Sequence, residues 1–247
     1  MVSMSRYTRN VPVACSLLAL VACGAGPSPL PVAPAAPTAP PSKEAALPLP
    51  PAAHHDPAEL DPSLATAQAP ELFYADFTTT KGEFVVEAHR SWAPHGADRF
   101  YNLVKIGFYD DTRFFRAIPD FMVQFGISGD SRVTTKWRDA TFPDDPVTQS
   151  NLRGFMSFAR TGQPNSSATQ IFISYENHAA LDATGFAPFA KIARGMEVVD
   201  ALYKGYGEGA PDGQGPSQER LASEGNAYLD REFPKLDRIL ITRLVEQ

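Results

Sequence analysis

Phe114-Phe115-Arg116-Ala117-Ile118-Pro119-Asp120-Phe121-Met122-Val123-Gln124 sets a guanidinium inside an apolar run. A second apolar run follows and ends in an amide. Taking an arginine out of water costs several kcal/mol, so it is almost never left in such company without a partner. On its own Arg116 reads as a structural ion-pair residue; what surrounds it decides otherwise. Segments 113–118 and 121–126 both read as short strands.

The same pattern continues on either side. Upstream, Leu72–Thr79 and Glu83–His89 are two β-rich runs around Thr80-Lys81-Gly82, a hairpin signal. In the second run Phe84, Val86 and Ala88 alternate with Val85, Glu87 and His89. Pro94 opens a helical pattern with Ala97, Phe100, Leu103 and Val104 on one side and Gly107 as its stop. Downstream, strand-like runs recur at 154–159, 170–174 and 188–193. A second helix fits 195–204 with Met196, Val199 and Tyr203 on one face, and Ile239–Leu244 reads as the last strand. Many short strands with few helices predict a mainly β fold, a closed or nearly closed barrel with two helices at its ends.

Residues 205–233 stand apart. They run Gly-Tyr-Gly-Glu-Gly-Ala-Pro-Asp-Gly-Gln-Gly and continue as a polar helical stretch. No strand leads in, no Gly-Lys-Ser/Thr follows, and dinucleotide-fingerprint spacing is absent, so a phosphate loop is rejected. A long surface loop and helix inserted before the last strand is the simpler expectation.

Before the barrel the composition changes. Prolines crowd between Pro27 and Pro70 in this 247-residue chain. Residues 23–70 hold few large apolar side chains and cannot offset ordering entropy, so a semi-extended tether is expected. In the polyproline conformation it would reach on the order of 140 Å. The folded domain is expected over 71–247. Ahead of the tether, Arg6 and Arg9 precede an apolar segment, Val11–Ala22, that is too short to span a bilayer. Leu20-Val21-Ala22-Cys23 resembles a bacterial lipoprotein signal, which implies removal of residues 1–22 and acylation of Cys23. Gly24 rather than aspartate after the cysteine implies the outer membrane, facing the periplasm, in a Gram-negative source. Cys15 lies in the removed segment, so the mature chain would carry no free thiol or disulfide.

Net charge is −6, and processing would leave 20 basic against 28 acidic residues, or −8. No run rich in Lys and Arg points to nucleic acid. His54, His55, His89, His95 and His178 lack metal-ligand spacing and have no cysteine partners, so neither metal nor cofactor is expected. Asn165-Ser166-Ser167 matches a glycosylation sequon but reads as a chance match in a turn.

The opening stretch resembles the cyclophilins, a family of peptidyl-prolyl cis-trans isomerases. Phe115–Gln124 is similar to their Arg-Val-Ile-Pro-Gly-Phe-Met-Ile-Gln signature. Gly154-Phe155-Met156-Ser157-Phe158-Ala159-Arg160 resembles Gly-Ser-Leu-Ser-Met-Ala-Asn, and Ser167–Ile173 resembles Gly-Ser-Gln-Phe-Phe-Ile. Leu181-Asp182, Phe189–Ile192 and Gly195–Asp200 are similar to the closing run. The resemblance covers about residues 72–204 and the last strand. It implies an eight-stranded antiparallel barrel capped by two α-helices. It also implies isomerase activity on Xaa-Pro segments of unfolded or exported proteins.

The same resemblance assigns roles. Arg116 would be catalytic. Phe121, Met122, Phe172 and Leu181 would line the slot for the proline ring, and Gln124 and Gln170 would hold Arg116 and the substrate backbone. Ala159 and Arg160 fall in the peptide-binding segment, where the family uses a backbone carbonyl, so side-chain identity at Arg160 is expected to matter less. Singly, Phe121, Met122 and Phe172 are more often core residues, and strand alternation would put Phe121 and Met122 on opposite faces. Only the resemblance brings both to the site.

Departures are also visible. Phe186 falls near the position of a frequent histidine, after an interval one residue longer than the common pattern. Phe115 replaces another histidine, which implies a more apolar rim. Ala180 stands where many members carry tryptophan. Large-ring inhibitors of the cyclosporin type lean on that tryptophan, so weak binding is implied. Two other readings stay open: a non-catalytic proline-binding or chaperone module on the same fold, and an envelope lipoprotein whose tether is the functional part.

Overall fold

The computed structural model describes residues 56–245. The signal segment, Cys23 and most of the expected tether lie outside the described residues.

The hairpin that opens the barrel follows from its side-chain period. β1 (Leu72–Thr79) pairs antiparallel with β2 (Gly82–His89), Thr79 opposite Gly82, leaving Thr80 and Lys81 as the turn. Phe73, Ala75, Phe77, Phe84, Val86 and Ala88 turn inward and are buried, as the alternation requires. The chain then forms α1 (Pro94–Lys105), β3 (Arg116–Ile118), β4 (Met122–Phe125) and α2 (Ser131–Trp137). β5 (Phe155–Phe158), β6 (Ile171–Ser174), β7 (Pro188–Arg194) and α3 (Met196–Asp200) come next. α4 (Gln218–Glu224), α5 (Asn226–Glu232) and β8 (Ile239–Leu244) complete the described chain.

All eight strands belong to one antiparallel sheet ordered β3-β4-β6-β5-β7-β2-β1-β8. The sheet curls until the segments leading into its edge strands meet. The Phe114 N–H donates to the Asp237 carbonyl at 3.0 Å, and the Ile239 N–H donates to the Thr112 carbonyl at 2.9 Å. Curling shelters both edges, which would otherwise present unpaired backbone. Inside lies an aromatic core. Phe77 stacks on Phe84 at 4.9 Å, and Phe100 from α1 packs on Phe189 of β7 at 5.1 Å.

α1 matches its sequence pattern: Ala97, Phe100, Leu103 and Val104 are buried against the sheet. The second expected helix is shorter than 195–204, ending at Asp200. α2 was not anticipated. Asp130 caps it, its carboxylate accepting from the Arg132 N–H at 2.8 Å.

Two expectations need correction. Residues 56–70 are not part of a free tether. Ala58 and Ala69 are buried. The Asn102 side chain accepts from the Ala67 N–H and donates to its carbonyl, and Asp98 accepts from the Ala69 N–H at 2.9 Å. A segment poor in large apolar groups is ordered here because α1 offers partners for its backbone. Phe115, in turn, does not form an apolar rim. It is 1% exposed. With Ile127, Leu221, Tyr228 and Leu229 it makes a second small core outside the barrel. The apolar residue at that position is what the insertion packs on.

Candidate active site

Register across three strands lays out the site. In β3 and β4, Arg116 stands opposite Gln124, and in β4 and β6, Gln124 stands opposite Phe172. Residues directly opposite in a ladder share a face, so guanidinium, amide and phenyl ring form one row. Val123 and Phe125 of β4 point into the barrel core, which leaves Met122 and Gln124 on the outer face with that row.

Phe121 reaches the same place by a different route. Ile118 pairs with Met122, so Pro119, Asp120 and Phe121 form a three-residue connection. Asp120 has φ of 61°, a left-handed conformation that aspartate tolerates better than most residues. Phe121 is therefore outside the strand, and the two-residue period does not bind it. His178 braces it, with Nε2 2.9 Å from the Phe121 carbonyl and its ring edge-on to the phenyl at 5.0 Å. Sequence spacing points only to the absence of a metal site at His178.

All ten candidate residues line a single cleft of about 1010 Å³. Phe186, the least securely aligned of them, packs edge-to-face on Phe172 at 5.5 Å. It sits after a 3-10 turn over Ala179–Thr184 that carries Leu181. Asn151 holds this segment, its amide donating to Asp182 at 2.7 Å and to the Phe186 carbonyl at 2.9 Å. The Arg160 side chain is engaged within the protein. It donates to Asp144 at 3.0 Å and to the Gly185 carbonyl at 3.1 Å, tying the residue before Phe186 to Asp144.

Arg116 has the partner that its burial demands, and the partner was not foreseen. Nε and Nη2 each donate to Glu208 at 2.6 Å, one to each carboxylate oxygen. Nη1 donates to Gln124 Oε1 at 3.0 Å, and Gln124 Nε2 donates to Gln170 Oε1 at 2.7 Å. The side chains of Arg116 and Glu208 are 23% and 36% exposed, so the pair sits at the cleft wall and not in the interior. Hydrogen bonding from Arg116 holds the Glu208 carboxyl below the usual carboxylate range. A guanidinium has five N–H donors. Three are engaged here, and the thioether of Met122 approaches Nη1 at 4.0 Å. Only the unmet demand of Arg116 for a counter-charge pointed to such a residue, because Glu208 lies 92 positions away.

The arrangement is a donor-rich arginine beside an apolar slot on an antiparallel barrel. Comparison with known proteins fixes the family. A family model for cyclophilin-type peptidyl-prolyl cis-trans isomerase/CLD matches residues 74–221. A peptidyl-prolyl cis-trans isomerase of Acinetobacter baylyi is 33% identical over 144 residues, 56% of this chain and 76% of that one. Peptidyl-prolyl cis-trans isomerase A of Dickeya dadantii is 38% identical over 136 residues, 51% of this chain and 68% of that one. A Cryptosporidium parvum cyclophilin-type isomerase structure shares the fold with a TM-score of 0.54 at 21% identity, covering 71% of this chain and 99% of that one. The chain belongs to the cyclophilin-type peptidyl-prolyl cis-trans isomerases and is an enzyme of that activity.

Proposed function

We propose that this isomerase works by stabilising the twisted Xaa-Pro amide through Arg116, with the proline ring held in the slot between Phe121, Met122, Phe172 and Leu181. Rotation must break the partial double bond of the amide, a barrier of roughly 18–20 kcal/mol. No bond to another atom forms or breaks. The protein has only to bind the twisted state more tightly than either planar one. In that state the prolyl nitrogen is pyramidal and carries a lone pair that a donor can meet. Arg116 is always charged and its fork is rigid, and a charge-assisted hydrogen bond in a desolvated cleft is stronger than in water. A stabilisation of about 7 kcal/mol would raise the rate by roughly five orders of magnitude.

The row Arg116, Gln124 and Phe172 carries this reading, because it sets donor and ring slot side by side. A related Cryptosporidium parvum isomerase has been solved in the presence of the dipeptide Ala-Pro, which supports proline as the group the slot accepts. A protease-coupled assay on a short Xaa-Pro peptide tests it: the protein should accelerate cis-to-trans conversion. Binding without acceleration would favour the proline-binding module instead.

Ala180 is exposed, on the turn beside the slot. No large ring stands there to cover a macrocycle. Calorimetry should therefore find weak cyclosporin binding, and a submicromolar dissociation constant would refute it.

The further proposal is an envelope role, in which the domain is anchored by lipid on Cys23 and serves exported clients. Stable anchoring needs more than one acyl chain, which a lipoprotein cysteine supplies. Cys23→Ser should release the protein into the soluble periplasmic fraction. Persistence of the variant in the membrane fraction would contradict acylation.

A further inference from the structure

The geometry points to Glu208 as a positioning residue for the isomerase: a carboxylate delivered by the 205–217 loop that fixes the Arg116 guanidinium for the substrate amide. This rests on Arg116 being the donor to that amide.

Glu208 grips one edge of the guanidinium and Gln124 holds Nη1, so the planar group is braced by two separate side chains. Gln170 in turn braces Gln124. The result is a line of four hydrogen-bonded side chains drawn from the loop, β3, β4 and the residue before β6. A bidentate carboxylate defines both the distance and the plane of a guanidinium, whereas one amide oxygen defines neither fully. The engagement uses Nε and one Nη2 proton, leaving one proton on each of Nη1 and Nη2 without an oxygen partner among the described residues.

An acid touching a catalytic arginine could instead be a gate that must swing away. The loop argues against that. Gly207 bridges Ala117, the neighbour of Arg116 on β3, so the loop runs along the strand that carries the arginine. The Gly215 N–H donates to the Glu208 carbonyl at 2.8 Å, and the Gly209 N–H donates to Glu208 Oε1 at 2.8 Å. Tyr206 packs between Tyr203 and Phe233 at 5.1 and 5.0 Å. The glycines are required by this closeness. A Cβ on Gly213 would sit 2.3 Å from the Glu208 carbonyl oxygen, and one on Gly215 would sit 2.7 Å from it. The glycine density that imitates a phosphate loop in the sequence is a tight wrap around the Glu208 peptide. A carboxylate so held is fixed relative to β3, as a positioning group must be.

Line-shape or exchange NMR on an Xaa-Pro peptide, which separates kcat from KM, tests the proposal. Glu208→Ala should lower kcat by about tenfold to a hundredfold, the range expected when a reacting group is misplaced by about an ångström. KM should change little. Glu208→Asp keeps the charge and should recover part of the loss, whereas Glu208→Gln, which keeps the shape without the charge, should recover less. The Arg116 Nε–H signal should be sharp and slow to exchange in the unmodified protein and lost in the alanine variant. A higher kcat/KM for Glu208→Ala would make the acid a gate and overturn the proposal, as would an unchanged kcat. If the alanine variant does not fold, the aspartate and glutamine variants decide it, and equal kcat for both and for the unmodified protein overturns it. An Arg116→Ala variant with unchanged kcat, beside a protected Nε–H signal in the unmodified protein, would sink the catalytic reading of Arg116 instead, while leaving the clamp itself standing.

Discussion

Arg116→Ala should lower kcat/KM for an Xaa-Pro peptide by about two to three orders of magnitude, the usual cost of deleting one transition-state donor. The barrel should remain folded. The argument turns on where the guanidinium sits. Its backbone is fixed by the β3–β4 ladder, and that ladder does not need the side chain. Removing it leaves Glu208 and Gln124 without their donor, but the Glu208 side chain is 36% exposed, so water can replace the lost contact. Breaking a fully buried ion pair costs about 3–5 kcal/mol. At this exposure screening makes the penalty a fraction of that, and circular dichroism should show the transition displaced by only a few degrees. Arg116→Lys should also be slow. Lysine keeps the charge but cannot span both oxygens of Glu208 while donating to Gln124, because it lacks the planar fork. Rates equal to the unmodified protein for both variants would reduce the cleft to a proline-binding surface.

The strands were legible because their signal is local. Phe84, Val86 and Ala88 alternate with half-buried neighbours, and the structure buries those three. The cleft was legible only through motif resemblance. β4 is buried at every position, Met122 through Phe125, because one face meets the core and the other the cleft. A run buried on both sides carries no alternation to read. What escaped is non-local. Glu208 lies 92 residues from the arginine it grips, and His178 lies 57 residues from the carbonyl it meets. No spacing rule links such positions. The role of Phe115 was misread for a related reason. A lone apolar replacement looks like a change in the rim until the second core of Leu221, Tyr228 and Leu229 is seen to cover it. The ordering of residues 56–70 escaped because their contacts are backbone amides meeting Asp98 and Asn102, and composition does not record backbone pairing.

Trp137→Ala should be the most destabilising single truncation outside the barrel interior, lowering stability by about 3–5 kcal/mol. Trp137 closes α2 and is 1% exposed. Its ring meets Phe108 edge-on at 5.4 Å, and the Arg99 guanidinium lies over it at 5.2 Å. The indole N–H donates to the Glu59 carbonyl at 2.9 Å, joining the segment before β1 to the domain. Truncation therefore acts at three points. It opens a cavity too large for the surroundings to close. It leaves Arg99, whose pKa burial already lowers, with one fewer aromatic face, though its bonds to the Ala140 and Ala168 carbonyls remain. It also frees residues 56–60, where Leu60 is already exposed. At about 2–4 °C per kcal/mol for a domain of this size, the melting temperature should fall by roughly 6 to 20 °C. Trp137→Phe isolates the hydrogen bond: it retains most of the volume and should cost about 1–2 kcal/mol. Limited proteolysis provides an independent readout, since the alanine variant should be cut before β1 under conditions in which the unmodified protein is not. A melting temperature within about a degree of the unmodified protein, which corresponds to well under 1 kcal/mol, would mean that α2 and the 56–60 segment do not share a cooperative unit with the barrel.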